Sequence, residues 1–95
     1  MDVKQIQYFS LVSSTGSFNA AAKQLYISVP GLVKAMDRLE NELGVQLFVR
    51  RRSGVTLTPA GQALARYAPR YIRKYEMIAM SARRRHSGRC ARRSA

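Results

Sequence analysis

The sequence is poor in cysteine, in acids and in long apolar runs, and each shortage excludes something. One cysteine, Cys90, cannot build an internal disulfide framework, so a reducing, cytoplasmic setting is expected. No apolar run approaches the ~20 residues a membrane helix requires, and Met1-Asp2-Val3-Lys4-Gln5 does not resemble a secretory signal, so no membrane association is expected. His86 and Cys90 could supply at most two metal ligands, too few for a closed zinc site. There is no glycine-rich phosphate loop and no nucleophile elbow. Asp37 and Glu40 are three residues apart, but nothing in the sequence places them in a cleft. The expectation is a protein that is not an enzyme and that carries neither metal nor cofactor.

What is present is positive charge. Seventeen Lys and Arg stand against five Asp and Glu, giving +12 on 95 residues, of which 46% are hydrophobic. That balance describes one small globular domain with an affinity for polyanions, nucleic acid first among them. Half of the charge lies at the end: Arg83 to Ala95 hold six arginines and no acid, while residues 1–82 hold eleven bases and five acids. The 83–95 tail has no large apolar residue and no period, so it is expected to be disordered. It could serve as a basic arm on nucleic acid or be merely solvated.

Residues 2–15 predict a helix. Asp2 can cap it with Gln5 in the capping-box relation, Ile6, Phe9 and Val12 form an apolar stripe, and Gly16 stops it. Ser17 caps a second helix in which Phe18, Ala21, Ala22 and Leu25 recur at helical spacing, the alanines allowing close approach of a neighbour. Tyr26 and Ile27 read as a buried turn. Ser28 then opens a third helix with Pro30 in its first turn, a core stripe of Leu32, Ala35, Met36, Leu39 and Leu43, and Gly44 at its end. Two helices joined by a short turn form a helix-turn-helix, here Phe18 to Asp37. Arg38 and Glu42, one turn apart, could form a surface pair.

The period changes after Val45. Leu47-Phe48-Val49 and Val55-Thr56-Leu57 predict a hairpin whose tip is Arg50-Arg51-Arg52-Ser53-Gly54, three cations with no acid in the loop. Thr58-Pro59 restarts helix, to about Ala82. Leu64, Ala68, Tyr71, Tyr75, Ile78 and Ala82 alternate at four and three, a seam suited to the same helix of a second chain, with Pro69 loosening one turn. Tyr67, Tyr71 and Tyr75 share a stripe better explained by packing than by base stacking.

These residues carry a family resemblance. Gly16-Ser17-Phe18, Ala21-Ala22, Leu39-Glu40-Asn41-Glu42-Leu43-Gly44-Val45-Gln46-Leu47-Phe48 and Leu57-Thr58-Pro59-Ala60-Gly61, at these spacings, resemble the N-terminal winged helix-turn-helix of LysR-type transcriptional regulators, over residues 1 to about 75. The resemblance implies a mainly α fold: three helices, a two-stranded β wing and a long C-terminal dimerisation helix. The expected organisation is residues 1–58 as the DNA-binding domain, 59–82 as linker and dimerisation helix, and 83–95 as tail. It further implies a bacterial, cytoplasmic, sequence-specific regulator that binds double-stranded DNA as a homodimer, or a higher oligomer, on partly palindromic promoter sites. The family's effector-binding region has no counterpart here, so an excised fragment or a truncated relative is expected, without small-molecule sensing.

Matched to the family, the start of the third helix, Ser28-Val29-Pro30-Gly31-Leu32-Val33-Lys34, departs from the usual Ser-Gln-Pro-Ala-Leu-Ser-Arg. Lys34 keeps a cation but lacks the planar fork that reads guanine, and Val29 and Val33 offer methyl groups where the family has an amide and a hydroxyl. Gly31 is expected to loosen the first turn. The expected DNA contacts are Ser17, Ser28, Val29, Pro30, Val33, Lys34 and Arg38 from the helices and Arg50, Arg51 and Arg52 on the backbone. Leu64, Ala68, Tyr71, Tyr75 and Ile78 are expected at the dimer seam. Two alternatives remain: a small basic RNA-binding protein, and an interaction module that heterodimerises with full-length relatives.

Overall fold

A computed structural model of the chain describes residues 1–85 in full and follows the backbone of the last helix to Ser94. Its elements are α1 (Val3–Thr15), α2 (Phe18–Leu25), α3 (Val29–Leu43), β1 (Phe48–Arg51), β2 (Gly54–Leu57) and α4 (Pro59–Ser94). The local signals act as expected. Asp2 Oδ1 accepts the Gln5 N–H at 2.8 Å while Gln5 Oε1 accepts the Asp2 N–H at 3.0 Å, so both ends of the capping box are made. Ser17 Oγ and Ser28 Oγ accept the Ala20 and Gly31 N–H groups, each at 3.1 Å.

The apolar stripes meet in one core. Ile6, Phe9 and Val12 of α1 pack with Ala21 and Ala22 of α2 and with Leu32, Met36 and Leu39 of α3, all buried. Phe48 inserts from the wing, its ring centroid 5.3 Å from that of Phe9 and 5.6 Å from that of Phe18. This tilted aromatic cluster fixes where the wing leaves the helices. Leu43 departs from the expected stripe: the last residue of α3, it is exposed, and the buried side of the helix ends at Leu39. The expected buried turn is half right. Ile27 packs on the core, whereas Tyr26 points to solvent.

The wing is a two-stranded antiparallel ladder from Phe48↔Leu57 to Arg51↔Gly54. Its strands reach further toward the tip than the sequence predicts, so Arg50 and Arg51 are ladder residues and Arg52-Ser53 alone make the turn. Gly54 has φ 140°, and a Cβ there would lie 2.8 Å from the Gly16 carbonyl oxygen. Only glycine allows that approach, which lets the Val55 N–H donate to the same carbonyl at 2.9 Å and docks the wing on the α1–α2 turn.

Thr58 joins wing to α4. Its N–H donates to the Leu47 carbonyl at 3.0 Å, and its Oγ1 donates to the Gln46 carbonyl at 2.6 Å while accepting the Gly61 N–H at 3.0 Å. Gly61 is buried face-on against Leu47, where a Cβ would overlap the Leu47 carbonyl oxygen. Ala60, Leu64, Ala65, Ala68 and Ile72 then lay α4 on the core. The helix continues through Pro69, which cannot donate to the Ala65 carbonyl. It does not end near Ala82: Arg83, Arg84 and Arg85 are helical. Alanine and arginine are good helix formers, and a formed helix extends at little cost. The remainder of the expected disordered tail, residues 86–95, lies outside the residues described in full.

Candidate nucleic-acid interface

Acids decide where the positive charge is usable. Asp2 is committed to the α1 cap. Glu42 accepts the Met1 ammonium rather than pairing with Arg38, and that hydrogen bond holds its carboxyl below the ordinary value despite some desolvation. Glu40 turns inward: its Oε2 accepts the Leu47 and Phe48 N–H groups at 2.7 and 3.3 Å, closing the backbone where the chain enters β1. Asp37 Oδ1 receives Arg50 Nη2 at 2.7 Å. Glu76, the fifth acid, is exposed on α4.

Arg50 therefore does not belong to a trio of tip cations. Its guanidinium pairs with Asp37, lies 3.8 Å from Glu40 Oε1 and stacks 5.1 Å above the Phe18 ring. One side chain thus ties β1 to α3 and α2. Asp37 and Glu40 do share a cleft, with Gln46, Phe48, Val49 and Arg50, which their spacing alone did not indicate. Arg50 pairs with Asp37 Oδ1 and the strand amides with Glu40 Oε2, so each acid already has a partner within the domain. Arg51 and Arg52 are exposed and, among the described residues, make no ion pair.

On α3, the N-terminal half presents Ser28, Pro30, Gly31 and Lys34 to solvent, with Arg38 one turn further on. Val29 and Val33 are half-buried, and Val29 packs against the core, so only part of each side chain faces outward. Ser17 is half-buried, unlike the exposed Ser28, although both oxygens accept a cap N–H at the same distance. Gly31 has a tighter role than loosening the turn: a Cβ there would lie 2.9 Å from Ser28 Oγ, so glycine leaves room for the capping hydroxyl. The structure thus brings Ser28, Pro30, Lys34 and Arg38 onto the surface of one helix, with Arg51 and Arg52 on the adjoining wing and Arg50 paired to Asp37 between them.

The expected dimer seam divides. Ala68 is sealed in the chain's own core, out of reach of a partner, and Leu64 is half-buried against that core. The seam predicted one continuous α4–α4 contact, but its first turns are used to close the domain. Tyr71, Tyr75 and Ile78 are exposed. Among the described residues no group of His, Cys, Asp and Glu is arranged to hold a metal, and no helix is long and apolar enough to cross a membrane. His86 and Cys90 lie outside the residues described in full.

Tyr26 is the residue sequence reasoning missed. It caps α2 in the left-handed region, at φ 56°, and is 95% exposed. The available signal was its place directly after the last residue of the α2 stripe, where a helix C-terminus turns one side chain outward.

Comparison with known proteins gives one consistent result. Residues 3–62 match the model of the bacterial regulatory helix-turn-helix proteins of the lysR family. The chain is 37% identical over 83 residues to the HTH-type transcriptional regulator ClcR of Pseudomonas putida, covering 87% of this chain and 28% of that protein. It is 42% identical over 72 residues to TfdS of Cupriavidus pinatubonensis, covering 76% and 24%. The chain thus spans about a quarter of the length of these relatives. Among solved structures, full-length CbnR complexed with its target DNA superposes with TM-score 0.82 at 36% identity, covering 87% of this chain and 29% of that one. The BenM DNA-binding domain on catB site 1 DNA superposes with TM-score 0.81 at 32% identity, covering 92% and 98%.

Proposed function

The chain belongs to the lysR family of bacterial regulatory helix-turn-helix proteins, and from that premise we propose that it reads duplex DNA as one of two identical subunits, each placing α3 in a major groove of a partly palindromic site. The family is one of transcriptional regulators, not of enzymes, and the fold is that of its DNA-binding domains. The observation that carries the reading is the disposition of charge. Ser28, Pro30, Lys34 and Arg38 on α3 and Arg51 and Arg52 on the wing are exposed, while Asp37 and Glu40 beside them are turned onto Arg50.

Each group has a role set by its chemistry. Ser28 and Lys34 meet the groove, Lys34 as a point charge that tolerates more than one base. Pro30 and the outward methyls of Val29 and Val33 suit thymine methyl groups. Arg51 and Arg52 contact phosphates, positioning the domain without reading sequence. Arg50 braces the wing at its angle to α3 and makes no DNA contact of its own. With Arg38, Arg51 and Arg52 on phosphates counted in both subunits, the logarithm of the binding constant should fall with the logarithm of salt at a slope of roughly −5.

The dimer rests on α4. Tyr75 and Ile78 lie on α4 beyond Ile72, the last residue that packs on the domain's core, and Tyr71 is exposed beside that residue. The same surface would accept α4 of a longer relative, so mixed dimers are an expected consequence. Sedimentation of the chain alone and on a selected duplex tests the reading. Two chains per duplex, and tighter binding to duplex DNA than to structured RNA at matched salt, are expected. Binding as a single chain, or equal affinity for RNA, would overturn it.

A further inference from the structure

The turn between α2 and α3 holds a residue whose backbone and side chain are both placed unfavourably. Tyr26 adopts φ 56° and ψ 40°, and among the described residues it is the one non-glycine at positive φ. An L side chain enters that region at a steric cost. Its ring is 95% exposed, so burial returns nothing. The turn itself needs only the backbone: the Tyr26 N–H donates to the Lys23 carbonyl at 3.3 Å and the Ile27 N–H to the Ala22 carbonyl at 3.1 Å. Glycine or asparagine would close the same motif with less strain.

The side chain is held outward by its neighbours. Ile27 packs onto the core, which fixes the turn and leaves Tyr26 facing solvent. Lys23 is exposed in the last turn of α2, and two residues after Tyr26 the cap Ser28 opens α3. A phenol is thus displayed at the junction of the two motif helices, with a cation one turn before it and the exposed start of α3 just after. A phenolic O–H can donate to a phosphate oxygen, a contact that carries no sequence information.

We propose that Tyr26 is a phosphate-contacting residue: its hydroxyl donates to a phosphodiester oxygen of the DNA backbone flanking the groove that α3 enters, with Lys23 beside it. The inference rests on the DNA-binding reading above and adds a contact outside α3 and the wing. The strained conformation is then retained for what it displays, and stability and affinity are opposed at this position.

Two variants separate the terms. Tyr26→Phe keeps the ring and the backbone and loses only the donor. Its affinity should fall roughly three- to tenfold for the hydrogen bond lost in each subunit, about ten- to a hundredfold for the two-chain complex, equally for a selected duplex and an unrelated one. Its salt slope should equal that of the wild type, because no charge is removed. Tyr26→Gly should bind as weakly or more weakly while melting higher, by roughly 4 °C for relief of about 1 kcal/mol in a domain of this size. A residue with only a structural role would not move fold and affinity in opposite directions. Wild-type affinity in Tyr26→Phe would overturn the proposal, as would a lowered melting temperature in Tyr26→Gly. Should the wild-type chain bind neither duplex, the DNA-binding reading itself fails, an outcome distinct from a variant that matches a wild type that binds.

Discussion

Replacing Arg50 by alanine separates two roles that the run Arg50-Arg51-Arg52 presents as one. The guanidinium makes a 2.7 Å pair with Asp37 in which both side chains are about half exposed, 41% and 50%. Solvent screening at that exposure limits the pair to roughly 0.2–1 kcal/mol. Its stacking 5.1 Å above Phe18 adds about 0.5–1 kcal/mol. The sum is about 1–2 kcal/mol, which in a domain of this size lowers the melting temperature by roughly 5–10 °C. Arg50→Ala should therefore melt earlier while keeping the wild-type salt slope for DNA. Arg52→Ala should do the reverse, with an unchanged melting temperature and a slope smaller by ~1 per subunit. Thermal melts and salt titrations of the two variants measure all four quantities. An Arg50→Ala variant that melts with the wild type and loses slope as Arg52→Ala does would refute the bracing role.

Three further outcomes are expected. Gly61→Ala should destabilise the domain by about 1–3 kcal/mol in denaturant unfolding, because its methyl overlaps the Leu47 carbonyl oxygen. Ile78→Lys should shift sedimentation from two chains to one and make the melting temperature independent of protein concentration, with the monomer fold kept, since Ile78 lies outside the domain's own core. The depressed Glu42 carboxyl contributes stability that is present above the ordinary carboxylate range and is lost as pH falls through its lower folded-state value. Thermal melts taken from neutral into acid should show that loss reduced in Glu42→Gln.

Much of the fold was legible because its signals are local. The Asp2–Gln5 capping box, the serine caps and the glycine stops each involve residues within a turn of one another, and period alone identified Ile6, Phe9, Val12, Leu32, Met36 and Leu39 as core. What period could not show is which neighbour covers an apolar face. Ala68 and Tyr75 fall on one seam, yet one is sealed by the domain and the other is left open. Long-range pairs are equally silent: Arg50 finds Asp37 thirteen positions away, so a loop without acids still holds a neutralised cation. Tyr26 was misjudged for a related reason. Its apolar ring argued for burial, whereas the left-handed closure of α2 turned it outward. Gly54 was read as part of the wing tip and Gly61 only as part of a motif, and their close approaches to Gly16 and Leu47 appear only once the elements are assembled.

Selecting bound sites from random duplex DNA, at two salt concentrations, tests most directly whether α3 reads sequence as one of a pair. The account predicts an enriched inverted repeat whose half-sites lie about one helical turn, or a multiple of it, apart. Raising the salt should weaken binding without changing the selected sequence. Binding that enriches no sequence at either salt concentration would contradict it.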